Sequence, residues 1–292
     1  MKRFLLSLAA SLALTLQVTA QDAPVLVVRI DDIGCAHAAN LACMEALLDG
    51  VAQSVEIMTV CTWFPEAAAM LSEHPSIDVG VHLVLSSEWD GVKWGPLTDC
   101  PSLVGEDGYF RPKVTPSKSA PFVGKSLVEN GYDIAEVEKE FRAQIEMALR
   151  HLPNVTHLTG HMGSCRFDDQ VSALVERLAA EYGLASIDDG GSLQRYDFYN
   201  LGYEGPHKTY REKMKSILAQ VESLQDGGRY MFLDHPAYDC EEMRAYGHPG
   251  YENVASDRQG VTDMLCSRKL RRALEKRGVR LITFKELAET AK

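Results

Sequence analysis

Two hydrophobic rhythms take turns along this chain. Residues 25–34, VLVVRIDDIG, form a nearly unbroken apolar run that ends in two carboxylates and a glycine, the pattern of a strand buried on both faces within a parallel sheet covered by helices. Leu41, Met44 and Leu48 then recur at helical spacing as far as Asp49-Gly50, where the glycine ends the helix. Residues 55–60 predict a second strand. Pro65 opens a short helix over 65–71, at a position with no use for the N–H that proline lacks. In the strand predicted over 77–85 every odd position is large and apolar, while the other face carries Gly80 and His82. Periodicity then lapses over 86–131, among glycines, prolines and the aromatics Trp89, Trp94, Tyr109 and Phe110. An irregular segment of that length is usually a functional loop.

Regular patterning returns at Asp133, which with Glu136 has capping-box spacing ahead of the stripe Ile134, Val137, Phe141, Ile145 and Leu149. A strand over 155–161 follows, and then a helix marked by Val171, Leu174, Val175 and Leu178 and stopped at Gly183. A loop with Asp188-Asp189-Gly190-Gly191 leads to a helix over 211–224 and a strand over 229–236. A long helix over 261–276, a strand over 279–283 and a short helix over 284–289 close the chain. Strands alternating with helices imply a parallel sheet, and this many units suggest closure into a barrel. No composition shift marks a domain boundary, so residues 21–292 are expected to form one domain.

Composition adds a destination. Lys2-Arg3, the largely apolar stretch from Phe4 to Leu16 and the small-x-small Val18-Thr19-Ala20 read as a secretory leader over residues 1–20. The mature protein is therefore expected to be exported, periplasmic or extracellular, and soluble, because no later stretch approaches the roughly 18 apolar residues of a membrane span. The formal net charge is −11, and losing the leader makes it more negative, since the leader holds two basic residues and no acidic one. Such a surface repels nucleic acid and anionic lipid. Seven cysteines, Cys35, Cys43, Cys61, Cys100, Cys165, Cys240 and Cys266, leave at least one thiol unpaired. Most are read as small buried hydrophobes, with room for one disulfide in an oxidising compartment.

Active sites of parallel α/β folds collect at the carboxyl ends of strands. Asp31, Asp32, His82, His161 and His235 all lie late in four predicted strands. One aspartate and two histidines from separate strands make a three-ligand set with a position left open, as in catalytic zinc sites. Asp32, His82 and His161 are the candidates, with His157, on the same strand face as His161, as the alternative ligand. A lone strand histidine is ordinarily a hydrogen-bonded core residue, so it is the joint occurrence that carries weight. Strand alternation is expected to turn Asp31 away from Asp32, freeing it for proton transfer. The ion would be a divalent metal, with zinc and magnesium leading nickel and cobalt. His37, His74, His151 and His207, in loops or on helix flanks, are expected to have no chemical role.

The ordered set Arg29-Ile30-Asp31-Asp32-Ile33-Gly34, Asn40, Met58, Gly80-Val81-His82-Leu83-Val84-Leu85, Thr156-His157-Leu158-Thr159-Gly160-His161 and His235-Pro236 resembles the YdjC-like carbohydrate deacetylases. Ser256-Asp257-Arg258 through Leu265 and Leu281-Ile282-Thr283-Phe284 resemble that family's ending. The resemblance implies an α/β fold, a distorted (β/α) barrel of mostly parallel strands with long loop insertions. It also implies a divalent metal and removal of N-acetyl groups from amino-sugar oligosaccharides. By motif, Asp32, His82 and His161 bind the metal, Asp31 is the base and His235 the acid. The chain departs from the family pattern at Thr159, where aspartate is usual, and at Arg29-Ile30, where Asn-Ala is usual.

Pro236 restricts His235 to an extended backbone, and Asp234 is expected on the opposite strand face, away from its ring. His248 is the competing acid. Trp89, Trp94 and Tyr109 are candidates to stack on sugar rings. Two rival readings stay open: a glycoside hydrolase with carboxyl groups roughly 5 to 9.5 Å apart, and an exported carbohydrate-binding protein that has lost its chemistry.

Overall fold

The computed structural model describes residues 23–186, 198–205 and 207–290. The predicted leader and the Asp188-Asp189-Gly190-Gly191 loop lie outside the described residues. The strands are β1 Val25–Ile33, β2 Ser54–Ile57, β3 Asp78–Leu83, β4 Val155–Gly160, β5 Ala185–Ser186, β6 Tyr199–Leu201, β7 Arg229–Asp234 and β8 Arg280–Leu281. They pair, always in parallel, in the order β5-β4-β3-β2-β1-β7-β6. β8 joins β1 at Val25 and Leu26, below β2, which joins it from Arg29 onward. β5 and β6 do not pair among the described residues, so the sheet is a distorted, partly open barrel.

Helices wrap this sheet because a parallel pair needs a crossover. They are α1 His37–Leu48, α2 Phe64–Ser72, α3 Leu127–Asn130, α4 Ile134–His151, α5 Asp169–Tyr182, α6 Tyr210–Ser223, α7 Val254–Leu265, α8 Arg268–Arg277 and α9 Phe284–Thr290. The outward strand faces carry Val28, Ile30, Val55, Ile57, Val79, Val81, Leu83 and Leu158, which share one core with Phe141 and Ile145 of α4 and Leu174 of α5. Among the described residues no helix is long and apolar enough to cross a membrane.

The inner face changes character along the strands, and this gradient positions the site. At the amino ends Val25, Val27, Met231, Ile282 and Phe284 form a separate apolar plug. One layer higher the same face becomes charged, with Arg29, Glu56 and His157 all buried. Phe284 joins the two layers, its ring 5.9 Å below the Arg29 guanidinium and 4.8 Å from the His157 ring. Gly80 makes the charged layer possible. β3 runs between β2 and β4 with Glu56, Gly80 and His157 in register, and a Cβ on residue 80 would sit 2.2 Å from Glu56 Oε2 and 2.4 Å from His157 Nε2. Only glycine lets those two side chains meet across the middle strand.

Three expectations change. α1 buries Met44 of the expected stripe together with Ala38, Ala39, Ala42, Cys43 and Ala46, whereas Leu41 and Leu48 are exposed, Leu48 by 51%. Small side chains win that face because it lies close to its neighbours, and the leucine stripe is not the core stripe. The long helix expected over 261–276 is two, α7 starting at Val254 and α8 restarting at Arg268, where Ser267 Oγ caps by accepting the Lys269 N–H at 3.1 Å. All seven cysteines are thiols, so the allowance for a disulfide falls away.

Candidate functional site

Asp32 breaks the regular geometry of β1 from within the strand. Its φ is 72°, left-handed, and the β1–β2 register shifts between Ile30 and Ile33. Aspartate is among the few residues that tolerate this conformation. The alternation expected to separate the two carboxylates is therefore broken, and both face one histidine. His82 Nε2 lies 3.6 Å from Asp31 Oδ2 and 3.7 Å from Asp32 Oδ1. The next residue but one, Gly34, has φ 103° and would place a Cβ 2.9 Å from Met58 O, so the turn after the carboxylates requires glycine as well.

β3 brings up His82 and the end of β4 brings up His161, whose Nδ1 lies 3.3 Å from Asp32 Oδ1. The two rings meet edge to face at 5.3 Å. One ligand atom from each of Asp32, His82 and His161 lies within 4.8 Å of the others, and all three residues are buried. Asp32 Oδ1 accepts no hydrogen bond, although it is buried between the two rings. A buried carboxylate oxygen without a donor is costly, and a cation among these atoms would satisfy it. One carboxylate and two imidazoles suit a divalent transition metal, so the residues present fit the group.

Further partners hold the set in place. Arg258 of α7 donates Nη2–H to Asp32 Oδ2 at 2.8 Å. Glu88, from the irregular loop, faces His161 Nε2 at 3.0 Å. Thr159 Oγ1 lies 2.9 Å from His82 Nδ1. Arg29 grips Asp31 through two bonds, Nε to Oδ1 at 2.6 Å and Nη2 to Oδ2 at 2.8 Å. Glu88 has no signal in the sequence, and Arg258 stands out only within the Ser256-Asp257-Arg258 stretch of the family resemblance, since nothing in spacing ties residue 258 to residue 32 or a loop glutamate to a strand histidine. Arg29 was visible only as a departure from a family pattern.

The electrostatics follow. Burial pushes the Asp31 carboxyl up to about 7, against the pull of Arg29 and His235. Asp32 is just as buried, but His235 and Arg258 outweigh that and hold it well below the usual carboxylate range. Burial, with His161 and Arg29 nearby, keeps His82 well below the ordinary imidazole range, hence neutral, as a ligand must be. At His161 burial opposes the proton, yet Glu88 and Asp32 raise it to about 10. The negative field that holds a proton there also attracts a cation.

His235 stands at the open side, its side chain 34% exposed, with Nε2 4.0 Å from Asp32 Oδ2. Asp234 corrects an expectation: its Oδ1 lies 3.6 Å from His235 Nδ1 and accepts the His235 main-chain N–H at 2.8 Å, while Oδ2 accepts the Tyr203 hydroxyl at 2.6 Å. β7 ends at Asp234, so strand alternation does not extend to the histidine. Burial lowers the His235 pKa, but Asp32 and Asp234 together raise it above the ordinary value.

The cleft has a volume of about 720 Å³ and is lined by Asp31, Asp32, His82, His161 and His235 together with Trp89, Lys113, Arg166 and His248. Of the three loop aromatics, Trp89 forms its wall and stacks on His248 at 5.7 Å. Trp94 is buried behind, donating its indole N–H to Ser86 O at 2.7 Å, and exposed Tyr109 lies outside the lining. His157, the alternative ligand, stands outside the cluster of Asp32, His82 and His161, and its Nε2 meets Glu56 Oε1 at 2.8 Å. His37 pairs with Glu66 at 2.8 Å, His151 packs on Phe64 and His207 stacks on Tyr203, all away from the cleft.

Fold and site together define a distorted α/β barrel with a buried carboxylate and two histidines converging at the carboxyl mouth of its strands. The chain belongs to the YdjC-like protein family, whose sequence model matches residues 25–276. A carbohydrate deacetylase of Brevibacillus brevis is 27% identical over 269 residues, spanning 90% of this chain and 99% of that one. A carbohydrate deacetylase of Geobacillus stearothermophilus is 28% identical over 264 residues, spanning 89% and 96%. Among solved structures, a putative cellobiose-phosphate cleavage protein of Enterococcus faecalis superposes with a TM-score of 0.70 at 21% identity, covering 91% of this chain and 99% of that one. This last likeness is one of fold.

Proposed function

We propose that the chain is a metal-dependent carbohydrate deacetylase that removes N-acetyl groups from amino-sugar oligosaccharides. The observation that carries this reading is the meeting of Asp32, His82 and His161 within 4.8 Å, flanked by Asp31 and His235, in a member of a family whose relatives are named carbohydrate deacetylases. Asp32 Oδ1, His82 Nε2 and His161 Nδ1 would hold a divalent cation, with zinc first by its preference for imidazole. When bound it supplies positive charge that polarises the acetyl carbonyl and favours attack by water.

The protein's own groups supply the proton transfers. Asp31, fixed by Arg29, takes the proton of the attacking water as general base. His235, aimed by Asp234 and Tyr203, holds its proton to higher pH than a free imidazole and gives it to the departing amine. Trp89 offers an aromatic wall for a sugar ring. The glycosidase alternative is not favoured, because both aspartates are tied to buried arginines rather than left to flank a glycosidic bond.

Metal analysis of the purified protein should find about one equivalent of divalent ion, and the protein should release acetate from N-acetylglucosamine oligomers. Chelation should stop the release and zinc should restore it. A protein that binds metal and sugar but frees no acetate would establish the lapsed binding protein instead. We also propose that the chain is exported, on the strength of the leader over residues 1–20. Amino-terminal sequencing of the exported protein should begin at Gln21, and a protein retained in the cytoplasm with Met1 intact refutes it.

A further inference from the structure

The charged layer below the site meets it twice, through Arg29 on Asp31 and through Glu56 by way of Thr159. Glu56 Oε2 accepts a hydrogen bond from Thr159 Oγ1 at 2.6 Å, and Thr159 Oγ1 lies 2.9 Å from His82 Nδ1. A hydroxyl has one proton to donate, and a carboxylate can only accept. Thr159 therefore spends its proton on Glu56 and can only accept from His82, so His82 Nδ1 must carry hydrogen. In the neutral ring the lone pair is then on Nε2, the atom that faces Asp31 Oδ2 at 3.6 Å and Asp32 Oδ1 at 3.7 Å.

We propose that Glu56, acting through the Thr159 hydroxyl, is the positioning residue that fixes His82 as its Nδ1–H tautomer and so presents Nε2 to the divalent cation. The proposal rests on reading Asp32, His82 and His161 as the ligand set. Its geometry is supplied by strand register. Thr159 lies opposite His82 in the β3–β4 ladder, and Glu56 reaches it from β2 across the gap left by Gly80. Glu56 itself is held from the other side, with His157 Nε2 at 2.8 Å and Arg29 Nε at 3.5 Å from Oε1. The carboxylate is thus fixed at both oxygens, and the direction of the Thr159 bond is fixed with it. Partners of this kind typically change metal affinity by about 10–100-fold when removed.

The test compares the wild type with Thr159→Val, Thr159→Ser and Glu56→Gln. Nitrogen-15 spectra of the histidine rings in metal-free protein report the His82 tautomer without any need for metal or activity. Zinc affinity is measured by competition with a chelating dye. The expected result is an Nδ1–H signature at His82 in the wild type and in Thr159→Ser. That signature should be lost in Thr159→Val, with zinc bound about 10–100-fold more weakly. Glu56→Gln should behave as Val does, because an amide can donate to Thr159 and free its hydroxyl to bond the other way. Deacetylation by both weakened variants should recover at saturating zinc, which a general structural defect would not allow. An unchanged tautomer and unchanged affinity in both Thr159→Val and Glu56→Gln overturn the proposal, and so does an Nε2–H signature in the wild type. A wild type that binds no zinc overturns the ligand reading itself, while the metal-free spectra still decide whether the relay sets the tautomer.

Discussion

Asp32→Asn should lose stoichiometric zinc and all measurable acetate release while remaining folded. Asparagine keeps the shape of the side chain, and its carbonyl oxygen can still accept the Arg258 Nη2–H that Asp32 Oδ2 accepts at 2.8 Å. What it removes is the one negative charge in the proposed ligand set, together with the anionic character of Oδ1 between His82 and His161. Asp32→Ala is the poorer test. It would strand Arg258, which is 5% exposed, and removing one partner of a buried ion pair costs about 3–5 kcal/mol. Loss of activity there would not separate chemistry from folding. The measurement is zinc content beside a thermal melt. A folded Asp32→Asn protein with a full equivalent of zinc and wild-type turnover rejects Asp32 as a ligand.

Asp31→Asn should keep its zinc and lose roughly 10²- to 10⁴-fold in rate, the usual contribution of a placed general base. Distance alone does not separate the two aspartates, since both carboxylates lie within 3.7 Å of His82 Nε2. Their partners do. Asp31 is held by both arms of Arg29 and is pushed up to about 7 by burial, whereas Asp32 has an oxygen with no donor. The pH dependence has a definite sign. A base works only when deprotonated, so the wild-type rate should rise with pH through the Asp31 titration, and the positive charge of a bound cation moves that rise below about 7. Asp31→Asn should lack that acid limb. If the variant instead loses zinc in step with rate, Asp31 is itself a ligand and the base must be sought elsewhere.

Much of the outline was legible because its physics is local. A side chain's burial within a strand or helix repeats with the backbone, so the alternation of apolar runs and helical stripes revealed a parallel α/β barrel, and Asp31, Asp32, His82, His161 and His235 stood out as polar residues late in strands. The same local logic failed where the backbone leaves its regular form or where packing chooses between faces. It set Asp31 and Asp32 apart because a left-handed residue in β1 leaves no mark in the spacing. It places Asp234 away from His235 because alternation holds only within a strand, and β7 ends at Asp234. On α1 it finds Met44 but favours Leu41 and Leu48 over the alanines, because the space available on each face depends on neighbours far away in sequence.

The sequence by itself determined which chemistry this protein carries, since carboxylates and imidazoles are present or absent at strand ends whatever surrounds them. Only the tertiary structure decided what each of them touches. Alternation puts His157 and His161 on one strand face, yet the first lies within β4 and is spent on Glu56, while the second, just past the end of β4, faces Asp32 at 3.3 Å. Arg258 reaches Asp32 across 226 residues of chain, and Glu88 reaches His161 across 73. The Glu56–Thr159–His82 relay passes through three strands and the missing side chain of Gly80. The physical reason is one of range. Periodicity is set by each residue's own backbone, whereas a tautomer, a pKa or an open coordination position is set by atoms a few ångströms away that the fold alone brings there.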